Sequence, residues 1–523
     1  MSQDQSQNLS QDLSQDQTHA NALFGAIRAA MPAPDKALVI HADGRAESYA
    51  EALALSGRLA NLLVARGVRP GDRVAVQVEK SWPALALYLA TVRAGAVYLP
   101  LNTAYTLVEV AYFLSDAEPA LFVCRPEILA AARALADTVK VPVVETLGSE
   151  GAGTLTDAAA ALPDAFEDVA RGPDDLAAIL YTSGTTGRAK GAMLSHGNLL
   201  SNALVLKDHW RFTGADVLIH ALPIFHTHGL FVASNIILLA GASMIFLPKF
   251  DAAEVLALMA KATCLMGVPT FYTRLLDQDG LTRETTRNMR LFVSGSAPLL
   301  AETHRAFQER TGHAILERYG MTETNMNTSN PYDGARIAGT VGLPLPGVTL
   351  RVTDPDSARV LGPDEIGMIE VKGPNVFKGY WRMPEKTASE FRDGFFITGD
   401  LGKIDRQGYV SIVGRGKDLV ITGGFNVYPK EVESEIDAIP GVLESAVIGV
   451  PHPDFGEGVT AVVVLKAGVR LTEADIHGAL AERLAKFKQP KTVFFVAELP
   501  RNTMGKVQKN VLRDTYRGTY GVA

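Results

Sequence analysis

At 523 residues the chain is too long for one compact core, so two or more domains are expected. A net charge of −7 argues against a nucleic-acid or anionic-membrane partner held by bulk charge, so local groups must grip any anionic ligand. Apolar residues at 47% and charged residues at 20% give an ordinary globular balance, while two distant cysteines, Cys124 and Cys264, exclude a disulfide scaffold and suit a reducing compartment.

Residues 1–20 begin with the polar, repetitive string MSQDQSQNLSQDLSQDQTH. It has too few apolar groups to offset the entropy of ordering, so a disordered tail is expected. It lacks the arginines of a transit peptide and the apolar stretch of a secretory signal, which leaves the cytoplasm as the expected location. From Ala22 onward, helical stretches alternate with short apolar runs. Helices are expected at Tyr49–Arg66 and Trp82–Ala94, and strands at Arg73–Val78, Ala96–Leu101, Leu176–Tyr181, Val217–Ala221 and Ser243–Phe246. Such alternation predicts an α/β domain of parallel-rich sheets covered by helices. The apolar run Phe231–Leu247 is interrupted by Ser, Asn and Gly and is too short to span a bilayer, so it belongs to a buried core.

After Leu343 short strands separated by Gly, Asp and Pro turns predict a small β-barrel-like unit that completes the large domain. Strands are expected at Gly367–Lys372, Phe395–Asp400 and Tyr409–Gly414. The segment Gly414-Arg-Gly-Lys-Asp-Leu419 then separates residues 21–416 from a small α/β unit, residues 417–523.

The strongest local signal is Leu180-Tyr-Thr-Ser-Gly-Thr-Thr-Gly-Arg-Ala-Lys-Gly191, directly after an apolar strand. Thr182, Ser183, Thr185 and Thr186 supply hydroxyls, Gly184 and Gly187 let backbone N–H groups approach an anion, and Lys190 adds charge. A loop of this kind wraps a polyphosphate. It is not the P-loop of nucleoside triphosphatases, because Gly191 follows Lys190 where Ser or Thr is required.

The string YTSGTTGRAKG resembles the phosphate loop of the adenylate-forming superfamily, which includes acyl-CoA synthetases, adenylation domains and luciferases. Further motifs of that family follow in order: ERYGMTET at 317–324, GYW at 379–381 with PEKT at 384–387, and ITGDLGKIDRQGYVSIVGRGKD at 397–418. ITGGFNVYPKEVE at 421–433 and LPRNTMGKVQK at 499–509 complete the set. The resemblance implies ATP, Mg²⁺ and coenzyme A as small-molecule partners, with a C-terminal domain that moves between two half-reactions.

The resemblance also implies roles for single residues. Glu323, with Thr182, would hold Mg²⁺ on the ATP phosphates, as a carboxylate among hydroxyls suits a hard cation. Tyr319 would offer a face to adenine, with Ser296, Ala297 and Pro298 on the other side of the base. Glu317, Gly320, Met321 and Thr322 complete this ATP-binding stretch. Asp400 would accept the ribose hydroxyls and Arg415 would donate to the same sugar. Lys506 would stabilise charge that exists only in the adenylation transition state, alongside Thr185 and Glu323. Lys417 would be the hinge, and Gly423 and Gly424 would line the thiol tunnel.

The acid is read from Gly267-Val-Pro-Thr-Phe-Tyr-Thr-Arg-Leu275, ERYGMTET and PIFHTHGL at 223–230. Arg274 and Arg318, with Ser296 and His226, make little sense around an apolar tail but suit a second carboxylate, which Arg grips bidentately. These segments resemble malonate-activating members of the superfamily and imply malonate, with methylmalonate as a slower relative. A short-chain or aryl acid, and a carrier protein in place of coenzyme A, stand as alternatives. Lys506 is also a candidate for acetylation by a lysine acetyltransferase and its reversal by a deacetylase, since neutralisation would remove the charge adenylation needs.

Overall fold

The structure is a computed structural model that describes residues 20–182, 189–502 and 505–521. The expected α/β plan is present as two helix-covered sheets, a third sheet and a separate C-terminal unit. In the six-stranded sheet, Val143–Thr146, Leu121–Cys124, Arg73–Gln77, Val97–Pro100 and Leu176–Thr182 run parallel. Lys190–Ser195 closes its edge antiparallel to Leu176–Thr182, which sets Thr182 opposite Lys190. The nine-stranded sheet has a parallel centre of Leu316–Met321, Leu291–Ser294, Cys264–Gly267, Val217–His220, Ser243–Phe246 and Ala37–Ile40.

Local chemistry explains where the helices begin. Ser48 caps Tyr49–Ala65 through a reciprocal bond with Glu51, and Ser195 caps His196–His209 with Asn198 in the same way. Trp82–Arg93 and Pro269–Leu276 both carry proline in the first turn, where its missing N–H costs nothing. The run Phe231–Leu247 is buried as expected, but it begins inside a π-helical turn, His228–Ser234, rather than in a regular helix.

The unit after Leu343 is a five-stranded antiparallel sheet of Thr349–Thr353, Gly367–Lys372, Phe391–Arg392, Phe395–Ile404 and Val410–Arg415. Asp400 does not end its strand as the sequence suggests. The strand continues to Ile404, which sets Asp400 opposite Arg415 in register. Residues beyond Val420 form a core of their own around Val432, Ile436, Val459, Ala461 and Ile476.

Buried charge in this fold is normally satisfied. Arg93, almost wholly buried, bonds Asp168 at 2.7 Å, the carbonyls of Leu53 and Phe166, and the Ser56 hydroxyl. Leaving such a group unpaired would cost several kcal/mol, roughly 3–5 when one partner of a buried pair is removed. A buried guanidinium with free N–H groups is therefore conspicuous here.

Candidate active site

The strand Leu316–Met321 sorts two sets of groups, because neighbouring side chains on a strand point to opposite faces. On one side Tyr319 donates to Asp400 Oδ2 at 2.5 Å, and Arg415 pairs with Asp400 Oδ1 at 2.7 Å. Burial, and then the Asp400 charge, raise the pKa of the Tyr319 hydroxyl, while Asp400 raises that of the Arg415 guanidinium. Glu317 accepts from the Leu299 amide at 3.0 Å, and its other oxygen is buried without a partner among the described residues. Burial pushes its pKa up to about 8.

On the opposite side Arg318 is buried, and neither its Nε nor its Nη2 has a hydrogen-bond partner among the described residues. No carboxylate lies within ion-pair distance among the described residues. Burial pushes its pKa down to about 9. Beside it, His228 lies 3.3 Å from the Ser296 hydroxyl through Nδ1, and its buried Nε2 is unpartnered among the described residues. His226 accepts from the His228 amide at 3.2 Å. Burial first, and the Arg318 charge second, lower the pKa of both rings, His226 to about 4. Neutral histidines and a free guanidinium form a donor-rich pocket that suits a carboxylate.

Glu323 sits in the turn after Met321, buried, with no cation at ion-pair distance among the described residues. Thr182 Oγ1 is 3.4 Å and the Tyr380 hydroxyl 3.1 Å from its Oε1. The same hydroxyl is 2.7 Å from Glu390 Oε2, and its single proton can serve only one carboxylate at a time. Burial raises the pKa of Glu323. An unpaired buried carboxylate flanked by a threonine hydroxyl fits a hard cation such as Mg²⁺. Lys190 is held by Glu390 at 3.1 Å and lies over the Tyr380 ring at 4.1 Å.

The C-terminal unit reaches this site. A β-carbon on Gly505 would stand 3.3 Å from Thr270 Oγ1, so the residue before Lys506 lies close to the helix Pro269–Leu276. Lys506 remains exposed to solvent, yet crowding first and Arg415 second lower its pKa, with Asp400 opposing. Lys466 bonds Glu302 at 3.0 Å across the same junction. Gly423 and Gly424 form a two-residue hairpin with φ of 59° and 81°, a conformation that favours glycine. Both are exposed to solvent. Lys417 is exposed in the short turn Gly416–Asp418.

Thus the structure brings together Arg318, Ser296 and His226, and separately Tyr319, Asp400, Arg415 and Lys506. Ala297 and Pro298 continue the turn after Ser296, which has φ of 72°. Gly320 fits tightly, since a β-carbon there would overlap the Asn325 carbonyl, while Met321 ends the strand and Thr322 begins the turn to Glu323. Arg274 lies on the expected helix but is exposed, one turn from Thr270, without an ion pair among the described residues. Ser183, Gly184, Thr185, Thr186 and Gly187, with residues 1–19, lie outside the described residues. Sequence reasoning passed over His228, although HTHG offers two histidines, and Glu390, which carried no motif signal.

Comparison with known proteins identifies the family. A model described as AMP-binding enzyme matches residues 27–381, and one described as AMP-binding enzyme C-terminal domain matches residues 431–506. The chain is similar to ATP-bound MatB from Rhodopseudomonas palustris, at 68% identity and a TM-score of 0.94, with 96% of this chain and all (100%) of that one covered. It is 38% identical to a feruloyl-CoA synthase of Amycolatopsis over 93% of this chain and 97% of the relative. It is 32% identical to a malonate–CoA ligase of Arabidopsis thaliana over 91% and 86%. The chain belongs to the AMP-binding enzyme family.

Proposed function

We propose that the chain ligates malonate to coenzyme A in two steps, using ATP and Mg²⁺ and releasing pyrophosphate and then AMP. The observation that carries the acid is Arg318, a buried guanidinium with two nitrogens unpartnered among the described residues, beside His228 and Ser296. Family membership alone leaves the acid open, because related chains are named for acids as different as ferulate and malonate. An aromatic acid would leave this guanidinium desolvated and unpaired, whereas a second carboxylate satisfies it.

In the first step the acid carboxylate attacks the α-phosphorus and pyrophosphate leaves. Asp400 and Arg415 hold the ribose, Tyr319 flanks the base, and Glu323 with Thr182 would hold the Mg²⁺ that offsets phosphate charge. Lys506, projecting from the C-terminal unit, stabilises the charge that develops on the bridging oxygens. In the second step that unit turns about Lys417 in the boundary between residues 21–416 and 417–523. Gly423 and Gly424 then replace Lys506 and admit the pantetheine thiol. Acetylation of Lys506 by an acetyltransferase, reversed by a deacetylase, would switch off the first step; unchanged mass and activity of native protein after deacetylase treatment would exclude it.

The acid is tested by AMP release with coenzyme A across malonate, methylmalonate, acetate, octanoate and ferulate. Malonate is expected to give the highest kcat/KM and methylmalonate the next. A preference for acetate, octanoate or ferulate overturns the reading.

A further inference from the structure

Lys80 follows the strand Arg73–Gln77 of the six-stranded sheet, and His220 ends the strand Val217–His220 of the nine-stranded one. Both are buried. Lys80 Nζ donates to the His220 carbonyl at 2.7 Å and to His220 Nδ1 at 2.9 Å, and lies 4.2 Å from the centre of the Phe246 ring. Lys80 Nζ thus has two hydrogen-bond acceptors and an aromatic face beside it, and no carboxylate at ion-pair distance among the described residues. The pair ties the two sheets at the carboxyl ends of their parallel strands, where ligands of open α/β sheets bind.

The link continues toward the acid pocket. An Nδ1 that accepts from Lys80 leaves the ring proton on Nε2, which points to the Gly229 carbonyl at 2.9 Å and the Ser234 hydroxyl at 3.2 Å. Ser234 also donates to the Gly229 carbonyl at 3.0 Å. Gly229 and Ser234 belong to the π-helical turn that starts at His228. The turn is closely packed at Gly229, where a β-carbon would overlap the Pro223 carbonyl. A π-turn is an uncommon backbone state that surrounding contacts must hold, and such turns cluster at functional sites.

We propose that Lys80 is a positioning residue for the acid site: by holding His220 it fixes the π-helical turn that sets His228 beside Ser296 and Arg318. The proposal rests on reading the Arg318 pocket as the acid site. Lys80 does not touch the substrate, and its effect passes through one ring and one turn.

The test is steady-state kinetics of Lys80→Met and Lys80→Gln in the full chain, with circular dichroism and thermal melting. Wild type is assayed first on the acid panel. If malonate is not its preferred acid, the malonate reading falls and the Lys80 test proceeds with the preferred acid. Lys80→Met is expected to raise the KM for the acid by roughly tenfold, as loss of a charged hydrogen bond would, with little change in the KM for ATP. Lys80→Gln, which keeps a donor for His220, should recover most of that loss. An unchanged acid KM in folded Lys80→Met, or equal rises for acid and ATP, overturns the proposal. Should Lys80→Met not fold, Ser234→Ala carries the test by loosening the link at its far end, and an unchanged acid KM there overturns it.

Discussion

The Arg318 guanidinium rests on the bare α-carbon of Gly295, so closely that a β-carbon at 295 would stand 2.7 Å from Nε and nearer still to Cζ. Gly295 is thus part of the pocket although it offers no side chain. Gly295→Ala should push Arg318 out of place and raise the acid KM by about tenfold or more, while the KM for ATP moves little. Equal effects on both substrates would show that the glycine serves only the fold.

The unpaired state of Glu323 makes a second expectation. Glu323→Gln keeps the shape and the hydrogen bond from Tyr380 but removes the charge that would hold Mg²⁺. Adenylation, read by exchange of pyrophosphate into ATP, should fall roughly 100-fold and need more Mg²⁺. Thioester formation from supplied malonyl-adenylate should persist. Wild-type Mg²⁺ dependence in the variant would remove Glu323 from the metal site.

Lys506 and Lys417 should separate the two half-reactions. Lys506→Ala is expected to abolish most pyrophosphate exchange and spare transfer from supplied adenylate. Lys417→Pro, which stiffens the turn Gly416–Asp418, is expected to do the reverse. Loss of both half-reactions in either variant would contradict domain alternation about this turn.

Glu317 predicts how stability depends on pH. Its pKa is raised from 4.5 to about 8 in the folded chain, so folding favours the protonated form. That contribution is complete below pH 4.5 and is lost as the pH rises toward and through 8. Glu317→Gln mimics the protonated acid and should flatten the fall in melting temperature over this window. A wild-type profile in the variant would mean that other groups set it.

Much of the architecture was legible because periodicity is local. The helix beginning at Tyr49 and the strand Ser243–Phe246 follow from spacing and caps within a few residues. Asp400 was misplaced at a strand end, since the glycine before it imitates a turn, whereas pairing with Val410–Arg415 carries the strand onward. The same pairing across the sheet is what joins Asp400 to Arg415.

By itself the sequence determined the adenylate-forming family, because its motifs follow in order along the chain, and those motifs single out Glu323, Asp400, Arg415 and Lys506 as expected site residues. Tertiary structure decided which groups meet. It buried Arg318, rather than the exposed Arg274, with two nitrogens unpartnered among the described residues, put His228 on a π-turn, and tied that turn to Lys80. Position 80 and position 220 lie 140 residues apart, and only the packing of two sheets brings them within a hydrogen bond. Desolvation, which makes an unpaired guanidinium costly and therefore informative, exists only once the chain has folded around it.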